Sequence, residues 1–423
     1  MKKNLFLVAA MLLFCCSVHA ADWQRLSAPI MSPWGESINP DAVWQEYPRP
    51  QLKRTEWMNL NGAWGFYRRS NTIDLSYVST ARLFSKTILV PFGVESALSG
   101  LMLTDYSSLA KSTLCYRRTF TLPESFAGKN VLMNFGAVDW QCKVYINGQE
   151  AGYHSGGSDP FSIDITDFLN AEGEQEVMIA VNDPTNQGGQ PLGKQTTNPS
   201  GIWYTPVSGI WQTVWLEPVD PAHIERYEVL PDIDKEQVTL CVHTTAEGAK
   251  VNATVKFDGA VVATVSNVDA DKDFTISLPG AHLWSPDEPN LYDVEFTLVK
   301  DGATTDTAQG YFGMRKFSKA MVDGHPAFML NNKPFYMYGP LDQGWWPDGL
   351  LTPPSYEGMI FDLEAIKAFG MNMVRKHIKV EPDLWYEWCD RNGLVVWQDM
   401  PNGGTGGTLG SKEEVQEIFY DEC

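Results

Sequence analysis

The sequence is poor in basic residues for its length. Its 423 residues include 32 Lys and Arg against 52 Asp and Glu, which gives a formal net charge of -20. A surface this acidic repels phosphate backbones, so we expect no nucleic-acid partner. The 43% of hydrophobic and 12% of aromatic residues are enough for packed cores, which excludes disorder as the dominant state. At roughly 100 to 200 residues per domain, the length predicts two to four domains.

Cysteines are also few, and their spacing matches no metal site. Beyond the amino-terminal apolar run they are Cys115, Cys142, Cys241, Cys389 and Cys423. Wide gaps without a Cys-x-x-Cys pair predict no bound metal, and no motif indicates a cofactor. Most of these cysteines are predicted to be buried thiols. A bridge between Cys115 and Cys142 stays open, because sequence alone does not give the geometry that a disulfide needs.

No apolar run is long enough to span a membrane. The longest covers residues 5–16, follows two lysines and precedes small residues ending at Ala20, which is the layout of a secretory signal. A spanning helix needs roughly 20 apolar residues. We therefore expect a signal peptide over residues 1–20, cleavage near Ala20 and export to the periplasm or the extracellular space. A lipid anchor on Cys15 or Cys16 is the alternative, which the bulky residue before each disfavours.

Residues 57–218 show short alternating runs broken by turn residues, a pattern typical of an antiparallel sandwich. In one strand Cys142, Val144 and Ile146 share a face, and Asn147-Gly148 then supplies the two positive φ angles of a tight hairpin. Residues 182–200 are rich in Gly, Pro, Gln, Thr and Asn without periodicity. They predict a long loop, a feature that is usually functional in a compact domain.

A second alternating segment covers residues 219–318, about the size of one immunoglobulin-like sandwich. One face is predicted to carry Val238, Leu240 and Val242, with similar rows in the following strands. No titratable cluster stands out, so we interpret this segment as a spacer that orients its neighbours.

From residue 319 the pattern changes to short apolar strands that alternate with helical periods, as in a parallel sheet. The predicted strands are 334–338, 371–374 and 394–397; the predicted helices are 356–369, burying Met359, Leu363, Ile366 and Phe369, and 382–392. Ser411 and Glu414 form a capping box for a further helix. The Gly-rich run 402–407 lacks the Lys-Ser/Thr ending of a phosphate loop, so we interpret it as a mobile active-site loop.

Several strings, in chain order, resemble the family 2 glycoside hydrolases, the group of β-galactosidases, β-glucuronidases and β-mannosidases. They lie at residues 60–64 (LNGAW), 144–152 (VYINGQEAG), 208–218 (SGIWQTVWLEP), 283–296 (LWSPDEPNLYDVEF), 312–315 (FGMR), 370–377 (GMNMVRKH) and 389–401 (CDRNGLVVWQDMP). The resemblance implies a jelly-roll sugar-binding β-sandwich over 21–218, an immunoglobulin-like β-sandwich over 219–318 and part of a (β/α)8 TIM barrel over 319–423. It also implies glycoside cleavage with retention of configuration.

The chain departs from the family pattern in two ways. Residues 339–346 read GPLDQGWW where many β-galactosidases have an Asn-x-His-Glu string, and His377 follows Arg375 by two positions rather than three. A (β/α)8 barrel typically needs roughly 250 residues and eight strands, whereas residues 319–423 offer three. The resemblance puts the acid/base and nucleophilic glutamates after later strands. We therefore expect a C-terminally truncated chain that is inactive as given, with both glutamates beyond Cys423.

Charged residues at the predicted strand ends are candidates for substrate binding. Asp342 and Asp399 follow the first and third barrel strands, on the face where barrel active sites form. Each can accept hydroxyl hydrogen bonds from a sugar, or instead cap a loop or pair with Arg375. Arg375 and His377 end the second strand, where the arginine can orient a carboxylate. The imidazole can bond a sugar hydroxyl or be structural.

Tryptophans supply further candidates. Either Trp345 or Trp346 in the first loop can stack on the C–H face of a pyranose, and the other is then predicted to be core. A sugar platform is also conceivable in the first domain, although packing is the favoured interpretation there, for Trp140, Trp203, Trp211 and Trp215.

The sequence thus predicts an exported retaining β-glycosidase of carbohydrate metabolism that acts on a β-linked glycoside or oligosaccharide. The alternative is a non-catalytic carbohydrate-binding protein with a vestigial barrel. Neither the sugar, the linkage nor the oligomeric state follows from the sequence.

Overall fold

The computed structural model describes residues 23–402 and 413–422. The predicted signal peptide, the Gly-rich run from residue 403 and the capping serine Ser411 lie outside the described residues. The chain is a multidomain, β-rich protein in three successive regions. No helix in the described ranges is both long and apolar enough to cross a membrane.

The first region contains antiparallel strands and short helical turns. The strands are β1 Met58–Asn59, β2 Gly62–Arg69, β3 Lys86–Val90, β4 Thr113–Thr121, β5 Asn130–Phe135, β6 Val138–Asp139, β7 Gln141–Ile146, β8 Gln149–Ser155, β9 Phe161–Asp164, β10 Glu174–Asn182, β11 Gly209–Ile210 and β12 Val214–Val219. The α-helices are α1 Pro33–Glu36 and α2 Tyr106–Leu109, and single 3-10 turns cover Pro50–Leu52, Ala81–Leu83, Glu124–Phe126 and Thr166–Phe168.

Two sheets of this region pack face to face. One has the strand order β3-β2-β4-β10-β7-β8 and the other β1-β12-β5-β9, while β6 and β11 form a small separate pair. Their inward side chains, such as Trp64, Val144 and Met133, form one closed apolar core. Burial of alternate residues on both sheets is what the period-2 pattern predicted.

The predicted hairpin at Asn147-Gly148 is confirmed. Asn147 (φ 50°) and Gly148 (φ 82°) join β7 to β8, and the Asn147 side chain accepts from Glu176 N–H at 2.9 Å. Cys115 and Cys142 do not form the bridge that the sequence left open. The strand β10 lies between β4 and β7, so the two thiols face different cores and both are free.

The second region is another pair of antiparallel sheets. Its strands are β13 Ile224–Asp232, β14 Gln237–Thr244, β15 Lys250–Phe257, β16 Ala260–Asp269, β17 Phe274–Ser277, β18 Tyr292–Lys300 and β19 Ala303–Phe312. The sheet orders are β13-β14-β17 and β16-β15-β18-β19. The predicted row Val238, Leu240 and Val242 is fully buried between them.

The third region starts with a hairpin and continues as a parallel sheet with helices. Its elements are β20 Phe317–Val322, β21 His325–Leu330, β22 Lys333–Pro334, β23 Leu341–Asp342, α3 Tyr356–Ala368, β24 Met373–Lys376, α4 Asp383–Asn392, β25 Val395–Gln398 and α5 Glu413–Glu422. The parallel strands are ordered β23-β24-β25.

The predicted first parallel strand, 334–338, is wrong. Pro334 belongs to β22, which pairs with β21, and only Leu341–Asp342 form the ladder with β24. The local apolar pattern could not locate this strand because the partner β24 sets its position. Both helices agree with prediction to within one residue, except that Phe369 is 76% exposed instead of buried.

The two faces of the parallel sheet differ. One face packs against α3 and α4, where Val374 contacts the cluster that includes Leu363 and Leu384. On the other face, Leu341, Arg375 and Trp397 stand in register across the three strands and are all exposed. We call these three residues the exposed row.

Candidate active site

Three of the predicted residues meet where β24 and β25 end. Asp399 Oδ2 lies 2.8 Å from Arg375 Nη2 and 3.0 Å from His377 Nδ1. Burial alone would raise the pKa of Asp399, but the hydrogen bonds from Arg375 and His377 outweigh it and lower the pKa. Asp399 is therefore an ionised anchor for both side chains, and the ion pair that the sequence left open is present.

Asp342 does not join this group. It stands opposite Lys376 in the parallel ladder, and its carboxylate accepts from Lys376 Nζ and from Gly344 N–H. Burial opposes ionisation of Asp342, yet the Lys376 charge and these hydrogen bonds lower its pKa. The suggested pairing of Asp342 with Arg375 is therefore wrong, because the two side chains alternate to opposite faces of the sheet.

Lys376 is the centre of a buried ionic network that sequence reasoning missed. Its side chain is 1% exposed, lies 2.7 Å from Glu381 Oε1 and sits 4.6 Å above the Trp385 ring. Burial lowers the pKa of a lysine, but the charges of Glu381 and Asp342 outweigh it and raise the pKa of Lys376. The network fixes the loop after β23 to the segment between β24 and α4.

Lys379 extends the network toward the first region. Its Nζ contacts Glu381 Oε1 at 2.9 Å and donates to the carbonyls of Gly344 and Leu351 at 2.7 Å each. Full burial lowers its pKa despite the Glu381 charge. Gly344 has φ 61°, and a Cβ there would lie 2.3 Å from Glu381 Oε1, so only glycine allows this approach.

His377 and Lys379 border a cleft between the first and third regions. The cleft lies between the loop 183–208 and the carboxyl ends of the parallel strands, and Leu192 N–H and Gly193 N–H donate to Asn402 O at 2.8 and 3.1 Å. Its lining includes Asp139, Ser158, Lys194, Gln195, Tyr204, Trp211, Gln343, Trp345, Leu351, His377 and Lys379. The predicted long loop is therefore one wall of the cleft.

The two first-loop tryptophans differ in burial. Trp345 is half-buried, lines the cleft and lies 4.8 Å from the Tyr204 ring, whose hydroxyl donates to Gln343 Oε1 at 2.9 Å. Trp346 is 8% exposed and packs edge-on against Trp34 at 5.9 Å. Only Trp345 is in a position to meet a ligand in the cleft.

The tryptophans of the first region are mainly structural. Trp211 and Trp215 are 1% and 2% exposed, and the Trp211 edge still reaches the cleft. Trp140 is half-buried and donates to Glu422 Oε1, while Trp203 lies under Lys194 Nζ at 5.8 Å. No platform combines the four.

Buried carboxyl groups lie on the first-region side of the cleft, where Asp139 is part of the lining. Asp139 accepts from Gln195 Nε2 at 2.9 Å, and Asp183 accepts from Thr185 N–H and Ser208 Oγ. In the described ranges, these hydrogen bonds come from neutral donors rather than from lysine or arginine. Burial, reinforced by their mutual repulsion, raises the pKa of Asp139 well above the normal value.

Two kinds of acid lie around the cleft, and of the four only Asp139 is part of its lining. Asp342 and Asp399 are held ionised by basic partners, whereas Asp139 and Asp183 are pushed toward the protonated form. A protonated carboxyl can donate to a sugar oxygen and an ionised one can accept from a hydroxyl. The arrangement thus places hydrogen-bond donors and acceptors around a narrow cleft with a free volume of about 30 Å³.

Sequence analysis missed Asp139, Gln195, Tyr204, Gln343 and Lys379. The predicted loop 182–200 contains Gln195, so its composition gave a partial signal. The sequence gave no signal for Asp139, because this residue lies in a β-strand of only two residues. Among the described residues, no group of three His, Cys, Asp or Glu side chains is arranged to hold a metal ion.

Comparison with known proteins places these regions in a family. Residues 57–217 match the model for the sugar binding domain of glycosyl hydrolases family 2, and residues 222–315 match the model named glycosyl hydrolases family 2. Together the two models cover more than half of the chain.

Individual relatives agree. The chain is 27% identical over 378 residues to a Formosa agariphila protein named as a candidate β-glucuronidase, covering 86% of this chain and 43% of that protein. It is 26% identical over 307 residues to a β-galactosidase of Thermoanaerobacter pseudethanolicus, covering 68% and 39%. The chain therefore spans less than half the length of these two relatives.

A solved structure shares the fold. A β-glucuronidase from Ruminococcus gnavus, in complex with a C6-substituted uronic isofagomine, superposes with a TM-score of 0.70 at 20% identity. The match covers 89% of this chain and 64% of that one. At this identity the likeness concerns the fold alone.

Proposed function

The chain belongs to glycosyl hydrolase family 2, and on that basis we propose that its complete form is an exported, retaining β-glycosidase. It hydrolyses the O-glycosidic bond of a β-linked glycoside or oligosaccharide. The observation that carries this proposal is the cleft, where the parallel strand ends meet a sandwich loop. It combines an aromatic wall, Tyr204 and Trp345, with hydrogen-bonding groups on both sides.

We propose that the first region is a jelly-roll sandwich over residues 21–218, the second an immunoglobulin-like sandwich over 219–318, and the third the opening part of a (β/α)8 barrel. The exposed row supports the barrel. A barrel interior is filled by inward side chains of its strands, and Leu341, Arg375 and Trp397 lie on the face that helices do not cover.

The side chains of the cleft have different proposed roles. Trp345 and Tyr204 present ring faces to the apolar side of a pyranose. His377 bonds a sugar hydroxyl, and Arg375 keeps Asp399 ionised and oriented. Asp139, Asp342 and Asp399 bind hydroxyl groups, while Lys376 acts only by positioning the Asp342 loop.

The chemistry needs a carboxylic acid that protonates the leaving oxygen and a carboxylate that attacks the anomeric carbon, roughly 5 to 5.5 Å apart. Asp342 and Asp399 are unsuited to the acid role, because their basic partners lower the pKa of both. We therefore propose that the acid/base and the nucleophile are glutamates outside this chain, so that this chain alone has no turnover.

Carbohydrate binding without catalysis is the second candidate function. It is favoured by one observation: the carboxylates of Asp342 and Asp399 are committed to ion pairs with Lys376 and Arg375. If this second function is correct, the third region is a vestigial barrel.

The test is an assay of the complete protein with p-nitrophenyl β-D-glucuronide and β-D-galactoside. We expect release of nitrophenol from one of them, with the β-anomer appearing first in the proton NMR spectrum. Binding of the substrates without hydrolysis would favour the second function. An α-anomer as the first product would contradict retention.

A matched pair of variants ties the activity to the cleft. His377→Ala should lower kcat/KM at least tenfold, because the imidazole borders the cleft beside Asp399. His243→Ala, at an edge of the second region beside Glu228, should not change it. Equal effects of the two variants would remove His377 from the site.

The proposed export and cleavage of the signal peptide can be tested by determining the amino terminus of the protein. Mass spectrometry of the protein secreted or released from the periplasm should give an amino terminus at Ala21. An amino terminus at Cys16 carrying a lipid would replace the soluble exported form with an anchored one.

A further inference from the structure

A second cavity lies behind the cleft, where all three regions meet. Its volume is about 330 Å³, within the usual range of small-ligand sites. Its walls are mainly aromatic and proline side chains, among them Trp44, Phe135, Phe161, Trp211 and Pro382. It adjoins the cleft, because Ser158 and Trp211 line both spaces.

Two polar side chains of the cavity have no partner. The Gln212 amide and the Asp383 carboxyl form no hydrogen bond or ion pair with other residues in the described part of the chain. Gln212 is 8% exposed, and its amide atoms keep some accessible surface. Buried polar groups are normally hydrogen-bonded, and an unpaired amide in a ligand-sized cavity is a ready contact for a ligand.

Asp383 stands at the first turn of α4 and lines the cavity, with an exposed side chain. Desolvation raises the pKa of its carboxyl, against the opposing charge of Arg49. The carboxylate oxygens can accept hydrogen bonds from the hydroxyls of a ligand.

The charges around the cavity are already balanced. The Glu381 carboxylate contacts both Lys376 and Lys379, at 2.7 and 2.9 Å. Arg49 lies 3.5 Å from Glu217 and donates to Glu225 O at 3.0 Å. The other ions of the described lining have counter-charges, and exposed Asp383 is influenced by the Arg49 charge, so a neutral ligand fits better than an ammonium or a carboxylate.

We propose that this cavity is a second carbohydrate site that binds one neutral pyranose unit, independently of the cleft. Ring faces cover the apolar side of the sugar, and Gln212 and Asp383 bond its hydroxyls. The site goes beyond the proposed hydrolysis, because it needs neither the cleft residues nor a catalytic carboxylate. It would hold a sugar of a longer chain, or a free sugar, against the junction of the three regions.

The experiment uses the 423-residue chain with methyl β-D-glucopyranoside and methyl β-D-galactopyranoside as probes. Binding is followed by saturation-transfer NMR and calorimetry. Gln212→Leu keeps the volume of the side chain and should weaken binding about tenfold, since it removes the hydrogen bonds of one amide. Leu384→Trp fills the cavity and should abolish binding.

Controls separate the cavity from the cleft and from general damage. Leu230→Trp, on an exposed strand position of the second region, should leave binding intact. Tyr204→Ala disables the cleft and should also leave the cavity binding intact. Near-ultraviolet circular dichroism verifies that each variant is folded.

The proposal is overturned if neither probe binds, or if binding is lost in Tyr204→Ala but retained in both cavity variants. It is also overturned if methylammonium or D-glucuronate displaces the probes at lower concentration than a neutral sugar does. Failure of hydrolysis in the complete protein would leave these outcomes unaffected, so the two proposals are tested separately.

Discussion

The first and third regions place their large apolar side chains in opposite ways. In the first region the large rings are enclosed between two sheets, as for Trp64 at 0% exposure. In the third region Trp397, Phe369 and Leu341 are 44%, 76% and 47% exposed. The first region satisfies its apolar surface within itself, whereas the third leaves one face of its sheet for other groups to cover.

The two regions also handle charge differently. In the third region, buried Lys376 holds two carboxylates and thereby fixes the loops of the cleft. In the first region, Asp139, Asp183 and Glu95 are buried next to one another without a basic partner among the described residues. The cleft thus joins a wall with fixed charges to a wall whose charges depend on pH.

The largest predicted effects on stability test the difference in burial of apolar side chains between the first and third regions. Trp64→Ala should destabilise the chain by about 3 to 5 kcal/mol, because it empties a closed core, whereas Trp397→Ala should cost below about 1 kcal/mol. Urea titration followed by circular dichroism measures both. In the complete protein, Trp397→Ala should cost as much as Trp64→Ala if further strands cover the exposed row. A small cost there would contradict the barrel.

Lys376→Met tests the charge contrast. The substitution should lower the free energy of unfolding by about 3 to 5 kcal/mol, because it leaves the Asp342 carboxylate without its cation. The control Lys256→Met removes a more exposed lysine that pairs with Glu295 at 2.7 Å and should cost about 0.2 to 1 kcal/mol. Similar unfolding midpoints for the two variants would show that the network does not fix the loops.

The pH dependence of stability tests the sandwich wall. Burial raises the pKa of Glu95 from 4.5 to about 8, so the folded state binds more protons than the unfolded state between these values. Stability should therefore fall as the pH rises from 5 to 8, by at most about 1.4 kcal/mol per pH unit for one group.

Glu95→Gln should flatten this part of the curve, because the amide has no proton to lose. Glu172→Gln, at an exposed position, should leave the slope as it is. An unchanged slope in Glu95→Gln would assign the pH dependence to other groups.

The smallest predicted effect concerns Arg375. In the complete enzyme, Arg375→Ala should lower kcat/KM tenfold or more, about 1.4 kcal/mol, because Asp399 loses its stronger partner. Arg69→Ala, which breaks an ion pair with Asp74 in the first region, is the control. Steady-state kinetics measure kcat/KM for both variants. An unchanged kcat/KM for Arg375→Ala would exclude this residue from the site.

Local patterns predicted the parts of the fold that local forces decide. The hairpin at Asn147-Gly148 follows from backbone geometry, and the helix from Tyr356 begins at the Ser355 cap, which accepts from Gly358 N–H. The buried row at Val238 follows from strand alternation. The strand Leu341–Asp342 was missed because two residues carry no period of their own.

The candidate site was predictable only in part. Arg375, His377 and Asp399 were named because the ends of adjacent parallel strands converge. Asp139 and Tyr204 come from distant positions, and only the docking of the loop 183–208 on the third region brings them to His377.

The sequence by itself determined the family, the alternating β regions, the change to a βα pattern and the strand ends that carry charge, since each depends on residues close together in the chain. The tertiary structure decided which charges pair, which tryptophan faces the cleft and where the second cavity lies. These depend on distances between regions and on removal of water from particular side chains, and local sequence patterns predict neither of them.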